Sequence, residues 1–590
     1  MSIDIETYRL KAQEAIEYVF VKEYHNSLGI PMPIVKMLLP DDANYSTGQY
    51  YITIDKTWQI HLNFGKLPIS YHEFQNEVKV LTRHEIEHYM CCPFDVITHF
   101  RMLKRIRDVY YKHFSHLGIN IEYACGAISN QAADIIVDTK NYYRHSKETL
   151  KSEIDWIKIG ANISACPRHC KLMFLTKEAI WKEDLGINET DPEFLKIVHQ
   201  LADSFTKNGI EDKSSFLDKV EEYAEIFFKL YVEDQKNPQQ SGQQGSQQQS
   251  GQQGSQQQSG QQGPQQQSGQ QGSQQQSGQQ GSQQQSGQWG VGRPKDGDEH
   301  GNAFVFADPD KVKEAIEVLA EETSVEEFID LLAIAGIIGM SDKQKGVLWF
   351  NVQSANIIPI VEFSNTGNKS SYTYPSVWRI GDPIEELDLM LTYMTSPRLI
   401  PGMTTKKWEY VSNDDNGTES KQMDLLLVVD TSGSMGSAMK ESANMHQAVL
   451  ASYGILSYFE STKSKVAFIG FSDKIDAYVD WSDKYDDVRE RLLTNGHGGT
   501  KFPISRIKST LDVRSRDLVT VLITDGDLGN INESVSYFRD YLNDDNKLYI
   551  FLLGGSKSLH SYEPLKNIGA KIYNANNANE FCDMVLTDME

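Results

Sequence analysis

The chain has 590 residues and a formal net charge of −24 at pH 7, with a pI near 5.1. Its length predicts several domains, and its acidity argues against nucleic acid or an anionic membrane as a partner. We expect no signal peptide, because the N-terminus carries early acids and no uninterrupted apolar run. We also expect no membrane span, because no stretch approaches about 18 apolar residues. Six cysteines in so long a chain predict no disulfide framework, which favours a reducing, cytoplasmic location.

Residues 1–233 are predicted to form a mainly helical α+β domain. Apolar residues at helical spacing predict a helix near 5–24, and further helices are expected near 71–90 and 127–143. Two short runs at 50–54 and 58–63, which flank a polar corner, predict a β-hairpin between the first two helices.

The helix predicted at 71–90 contains the motif H-E-x-x-H, with His84, Glu85 and His88 at its defining positions. Two histidines four residues apart lie on one helical face, so both imidazoles can reach one Zn²⁺. Glu85 then lies beside the metal, where a carboxylate can take a proton from bound water. The competing interpretation is a surface helix whose His and Glu side chains form ion pairs.

With its preceding hairpin, this segment resembles the zincin metallopeptidases over roughly 60 residues. The resemblance implies zinc-dependent peptide hydrolysis with Glu85 as the catalytic base. Glu87 departs from it, because zincins usually carry an uncharged residue at that position. A zincin-like domain that no longer cleaves is therefore a second possibility.

A third zinc ligand must come from outside this helix. We favour Asp134, because Asp134 and Asp138 lie four apart on a second helix that could present a carboxylate to the same point. The alternative is that these acids cap a helix or line a solvated face. Rival ligands are Asp138, Glu122 and His99.

Residues 234–303 are predicted to be a disordered Gln/Gly/Ser linker, in which SGQQGSQQQ recurs every nine residues. The repeat has neither charge nor apolar side chains, so it cannot bury enough surface to fold.

Residues 304–420 are predicted to be a helical and β extension packed on the next domain. A first helix is expected from Asp308-Pro309 to about 320. A capping box formed by Thr323 and Glu326 would open a second helix, which is expected to reach about 338. Trp349 and Phe350 follow among short β-like runs.

Residues 421–590 alternate strands with helices, which predicts a doubly wound, Rossmann-like α/β domain. The strands are expected at 425–429, 465–471, 518–524 and 548–553, and the helices near 440–460, 483–493, 502–511 and 532–542.

The first of these strands ends at Asp430, and Ser432 and Ser434 follow it. Ligands of open α/β sheets bind at the carboxyl ends of the strands, and hard oxygen donors suit Mg²⁺. Thr500 and Asp525 can add a third hydroxyl and a second carboxylate from later loops.

This ordered set resembles the metal-ion-dependent adhesion site (MIDAS) of von Willebrand factor A (VWA) domains, with all five positions matched. The resemblance implies Mg²⁺ or Mn²⁺ bound by these oxygens, and a protein partner that offers an acidic residue to the metal.

The HExxH motif, the following helix with Asn130 and Asp134, and the VWA-like domain together resemble bacterial and archaeal proteins that pair a zincin-like domain with a VWA domain; the resemblance covers both ends of the chain but not the Gln-rich linker. The resemblance implies a MoxR-type AAA+ ATPase as a partner. Two functions stay open at this point: a zinc-dependent metallopeptidase fused to a partner-binding VWA domain, and a non-catalytic VWA adaptor or co-chaperone whose HExxH domain is structural or inactive.

Overall fold

The structure is a computed structural model. The described residues are 5–40, 42, 50–54, 58–64, 70–159, 163–236, 309–337, 340–357, 371–378, 406–411, 423–514, 517–526, 528, 530–553 and 559–575. The predicted linker beyond residue 236 lies outside them, as do residues 304–308 (with the Asp308 cap), 338–339, 358–370, 379–405 and 412–420 of the predicted extension. Within the described residues, no helix combines the length and the hydrophobicity needed to cross a membrane.

The chain divides into two compact units. The first comprises Met1–Ile316 and Ala333–Ile337, and the second comprises Glu317–Leu332 and Ile338–Glu590.

The first unit is mostly helical. Its helices are α1 (Ile5–Tyr18, continued by a π-helical turn at Val19–Glu23), α2 (Tyr71–Met90), α3 (Val96–Val109), α4 (Ile121–Ile159), α5 (Arg168–Trp181), α6 (Pro192–Thr206) and α7 (Phe216–Lys236). Helix α2 matches the predicted bounds, and a capping box between Ser70 and Glu73 determines its start.

A three-stranded sheet accompanies these helices, with strands β1 (Ile34–Leu38), β2 (Tyr50–Ile54) and β3 (Gln59–Phe64) in the order β1-β3-β2. The antiparallel pair of β2 and β3 confirms the predicted hairpin. Strand β1, which pairs in parallel with β3, was not predicted. Ile60 and Leu62 of β3 join a core with apolar side chains of α1 and α2, so the sheet supports the helix that carries the HExxH motif.

Helix α4 is longer than the predicted segment 127–143, and it consists of two arms. His145 has a non-helical backbone (φ −135°, ψ 48°), so the helical path is broken between the arms.

The predicted extension contains helices α8 (Pro309–Glu321), α9 (Val325–Ile334) and α10 (Asp342–Ile357). The second unit begins within α8, at Glu317. The predicted capping box was wrong by one residue. Ser324 and Glu327 bond reciprocally to each other's backbone N–H groups, at 3.2 and 3.3 Å, at the start of α9. Thr323 instead donates its hydroxyl to the carbonyl of Leu319 (2.6 Å), so it belongs to the end of α8.

Trp349 and Phe350 were expected among β-like runs, but they lie in α10 and are buried there. The indole of Trp349 donates to the carbonyl of Thr323 (2.9 Å), so α10 packs back on the α8–α9 turn. An antiparallel pair follows, formed by β4 (Ser371–Val377) and β5 (Lys406–Val411).

A six-stranded sheet dominates the second unit, in the order β11-β10-β9-β6-β7-β8. Its strands are β6 (Asp424–Asp430), β7 (Val466–Phe471), β8 (Ile475–Ser482), β9 (Leu518–Thr524), β10 (Lys547–Leu553) and β11 (Lys571–Ala575). The four predicted strands are present and parallel, and β6, β9 and β10 form the middle of the sheet.

Both edge strands were missed by the sequence prediction. Strand β8 runs antiparallel to β7 and is largely half-exposed, so it lacks the continuous apolar run of a central strand. The helices that accompany the sheet are α11 (Asn444–Ser461), α12 (Tyr485–Leu492), α13 (Ile504–Leu511), α14 (Val535–Asn543) and α15 (Leu559–Lys566).

Candidate metal centres

The first candidate centre is built on α2, where four-residue spacing places His84 and His88 on one buried face. Their Nε2 atoms are 3.1 Å apart. Oδ1 of Asp134 on α4 lies 3.5 Å from Nε2 of His84 and 3.2 Å from Nε2 of His88. Among the described residues, these three side chains form a group of His, Cys, Asp or Glu that could hold a metal ion.

The three ligand atoms have the spacing that tetrahedral zinc requires. Zinc bonds to nitrogen and oxygen of about 2.0–2.1 Å place two tetrahedral ligands about 3.3–3.4 Å apart. The observed separations of 3.1, 3.2 and 3.5 Å surround that value. Two neutral imidazoles and one carboxylate are also a ligand set found in catalytic zinc sites, which keep a fourth position open.

The rival ligands lie elsewhere. Asp138 accepts a hydrogen bond from Nδ1 of His84 (2.6 Å), so it holds the far side of that ring. Glu122 is exposed near the start of α4, and His99 is buried in α3 outside the three-residue group. The structure therefore brings Asp134 to both histidines, and it gives Asp138 a supporting position one helical turn further along.

Hydrogen bonds behind the cluster orient both rings. Nδ1 of His88 donates to the carbonyl of Cys92 (2.9 Å), as Nδ1 of His84 donates to Asp138. Each bond leaves Nε2 directed toward Asp134, which is the arrangement of metal-binding histidines. Asn130 donates to the other oxygen of Asp134, Oδ2, at 3.1 Å.

The electrostatics of His84 follow from this arrangement. Burial favours the neutral ring, but the carboxylates of Asp138 and Asp134 outweigh it and raise the pKa of His84 to about 9. Metal binding requires the neutral imidazole, so it would displace a proton.

Glu85 and Glu87, the two acids inside the motif, have different surroundings. Glu85 is buried next to His84 and contributes to the negative potential at that ring. Glu87 is fully buried and contacts Nζ of Lys140 (2.8 Å), Nη1 of Arg144 (2.9 Å) and the hydroxyl of Tyr24 (3.0 Å). These partners compensate the charge that departs from the zincin pattern, and they tie α2 to α4.

The second candidate centre lies at the carboxyl end of β6. Asp430 is fully buried, and its Oδ1 accepts from the backbone N–H of Ser432 (2.8 Å). Its Oδ2 accepts from the hydroxyl of Thr524 (2.6 Å), the last residue of the neighbouring strand β9. Burial raises the pKa of Asp430, opposed by these hydrogen bonds, and nearby Asp525 raises it further. A bound cation would stabilise the ionised pair.

A chain of hydrogen bonds connects the other predicted ligands. The hydroxyls of Ser432 and Ser434 are 3.1 Å apart, and Ser434 donates to Oδ1 of Asp525 (3.0 Å). Asn444, the first residue of α11, donates to Oδ2 of Asp525 (3.1 Å). The helix predicted from 440 begins at Asn444, and this later start places the amide beside the site.

Thr500 is half-buried in the loop between α12 and α13. A backbone bond from Gly433 to the carbonyl of Gly498 (3.3 Å) brings that loop to the serine turn. A Cβ added to Gly496 would lie 2.5 Å from the carbonyl oxygen of Thr431, so only glycine permits this approach. Four of the five predicted ligands are thus linked by side-chain or backbone bonds, and the fifth is on an adjoining loop.

Several supporting residues were not identified from the sequence. Asp138 was considered only as a rival ligand, although its spacing from Asp134 was a usable signal. Thr524 directly precedes Asp525, but nothing in the sequence indicates that it would bond to Asp430. Asn444 was assigned to the interior of a helix.

Similarity to known proteins is found among solved structures. No protein-family model matches the chain, and no curated protein matches it. Among solved structures, the chain is similar to the conserved hypothetical protein BatB from Bacteroides thetaiotaomicron, with 13% identity and a TM-score of 0.24 over 28% of this chain and 97% of that one. It is also similar to a von Willebrand factor type A structure from Catenulispora acidiphila, with 11% identity and a TM-score of 0.22 over 29% of this chain and 42% of that one.

Proposed function

We propose that the first unit binds zinc through His84, His88 and Asp134 and acts as a metal-dependent hydrolase of the peptidase type. The observation that carries this proposal is the convergence of three ligand atoms, at separations of 3.1–3.5 Å, two of which come from the helix that also carries Glu85. Bound zinc would polarise a carbonyl and acidify a water in its open position.

The residues of the chain have distinct tasks in this proposal. Asp138 and the carbonyl of Cys92 hold the two imidazoles in the tautomer that presents Nε2 to the metal. Glu85 is the general base, which takes a proton from the attacking water and passes it to the leaving amine.

A non-catalytic role is favoured by one observation. Four side chains of the cluster are only 4–6% exposed: His84, Glu85, His88 and Asp134. The described residues therefore leave little room for a peptide to reach the cluster. A metal in such a place can serve chiefly to hold α2 against α4. The unit would then be the structural part of an adaptor.

The two functions are separated by measuring bound zinc and peptide hydrolysis on the full-length protein and on Glu85→Gln. The hydrolase predicts about one zinc per chain in both proteins and a fall in hydrolysis of about 10²–10⁴-fold in the variant. Glu122→Gln changes an exposed carboxylate of α4 and should leave both measurements unchanged. Zinc without hydrolysis in the parent supports the adaptor, and a parent without zinc contradicts both.

We propose for the second unit that residues 421–590 form a VWA domain that binds Mg²⁺ or Mn²⁺ through Asp430, Ser432, Ser434, Thr500 and Asp525. The linked oxygens at the end of β6 support this proposal. An acidic side chain of a protein partner would complete the coordination, and the family resemblance suggests a cytoplasmic MoxR-type AAA+ ATPase. Magnesium-dependent capture of such an ATPase by the full-length protein tests this partner, and equal capture in EDTA would contradict it.

A further inference from the structure

Lys177 of α5 lies between two acidic side chains, next to the proposed zinc site formed by His84, His88 and Asp134. Its side chain is 2% exposed, and its Nζ is 3.0 Å from Oδ2 of Asp138 and forms a close ion pair with Oε1 of Glu153. The other oxygen of Asp138 accepts from Nδ1 of His84 (2.6 Å). A continuous series of charged groups therefore runs from a proposed metal ligand through three helices.

The path of α4 makes this contact informative. In a straight α-helix, residues 138 and 153 would lie about 22 Å apart. Both side chains nevertheless contact the same ammonium group, because the break at His145 brings the two arms closer together than a straight helix would. Lys177 thus joins the arm that carries the proposed third ligand to the arm that follows the break.

Lys177 also has a defined effect on the orientation of Asp138. A carboxylate with one oxygen on His84 and no partner for the other could rotate away from the imidazole. The ammonium group compensates its charge and holds Oδ2, which leaves Oδ1 directed at the imidazole.

We propose that Lys177 is a positioning residue of the zinc centre, which acts through Asp138 on the orientation and metal affinity of His84. The inference rests on the proposed zinc binding by the first unit. Groups that hydrogen-bond to metal-binding residues typically change metal affinity by about 10–100-fold when they are removed. Lys177 acts one bond further out, and its contribution requires the carboxylate of Asp138.

The test measures zinc affinity of the full-length protein by competition with a chromophoric chelator, for the parent and Lys177→Met. We expect the variant to bind zinc about 10-fold more weakly. Lys171→Met is the matched control, because Lys171 is on the same helix, is 7% exposed and pairs with Glu189. Lys171→Met removes a comparable buried ion pair that does not touch Asp138. It should therefore change zinc affinity by less than about twofold. Equal affinities for the parent and Lys177→Met would overturn the inference.

A double-mutant cycle with Asp138→Asn identifies the route of the effect. We expect Asp138→Asn alone to weaken zinc binding, and Lys177→Met to add less than about twofold in that background. If Lys177→Met weakened binding equally in both backgrounds, the effect would not pass through Asp138, and the inference would be wrong.

A second variant covers the case in which Lys177→Met does not fold. Combining Lys177→Met with Glu153→Gln removes one charge of each sign, so that no unpaired carboxylate is left at position 153, and it leaves Oδ2 of Asp138 without the donor at position 177. We expect the same loss of zinc affinity, and unchanged affinity would again overturn the inference. The parent is measured first, so a parent that binds no zinc contradicts the proposed function itself, before any variant is compared.

Discussion

The two proposed metal centres place their ligands at different depths. In the first unit, all three ligands are buried on the packed helices α2 and α4. At the sheet edge of the second unit, Asp430 and Ser432 are buried, whereas Ser434 is exposed and Asp525 is half-exposed.

The difference in burial between the two sites determines how each could use a metal ion. Ligands on packed helices are pre-oriented and shielded from water, so a metal there is held tightly and its loss affects the surrounding helices. Ligands on loops after parallel strands leave one side of the metal open to a partner. Mg²⁺ at such a site retains water and binds modestly until a partner adds a ligand. Four substitutions, in order of decreasing effect, test this contrast.

His84→Ala should have the largest effect. Structural zinc with four ligands contributes about 10–16 kcal/mol, so one ligand accounts for about 3–4 kcal/mol and its loss for a roughly 100- to 1000-fold weaker affinity. The variant also leaves Asp134 and Asp138 buried with one partner fewer, so its thermal stability should fall even in EDTA. Chelator competition and calorimetry measure the two effects. Tight zinc binding by the variant would show that the metal is held elsewhere.

Asp430→Ala should weaken Mg²⁺ binding by about 2 kcal/mol, or roughly 30-fold, because one of two charged ligands is lost. The sheet should stay folded, since Asp430 is the last residue of β6 and its side chain bonds to the turn that follows the strand. Isothermal titration with Mn²⁺ and circular dichroism check the two statements. Asp486→Ala, which removes an exposed carboxylate on α12, is the control. A variant with parental metal affinity would exclude Asp430 as a ligand.

Gly496→Ala should weaken Mn²⁺ binding by about 10-fold, because its Cβ must displace the backbone of Thr431 beside the serine turn. Gly499→Ala offers a matched comparison in the same loop, since a Cβ there meets no atom within 4 Å. We expect the second variant to bind as the parent does. Identical behaviour of the two variants in titration would contradict the role assigned to this close approach.

Asn444→Ala should have the smallest effect. It removes one hydrogen bond to Asp525, which is worth about 0.5–1.5 kcal/mol, so Mn²⁺ affinity should fall by about threefold. Ser461→Ala, at the other end of α11, removes only a local bond to Tyr458 and should have no effect on titration. If Asn444→Ala lowered Mn²⁺ affinity as much as Asp430→Ala does, the contrast would fail. The metal affinity of the exposed site in the second unit would then depend on supporting hydrogen bonds as strongly as that of the buried site in the first unit.

Part of both centres was determined by local sequence. The bounds of α2 and β9 were predicted to the residue, because helical spacing and a continuous apolar run are properties of neighbouring residues. The same locality placed His84 and His88 on one face and Asp430 at the end of a strand. These features require no knowledge of which elements meet.

The tertiary structure alone decided which distant groups meet. Asp134, Asp138, Glu122 and His99 were all chemically acceptable ligands, and only the packing of α4 across α2 directs Asp134 at both imidazoles. The contact of Lys177 with both arms of α4 depends on a break at His145 that no local signal in the sequence indicated. A single sequence records the chemistry available at each position, whereas the relative placement of helices follows from the burial of many side chains at once.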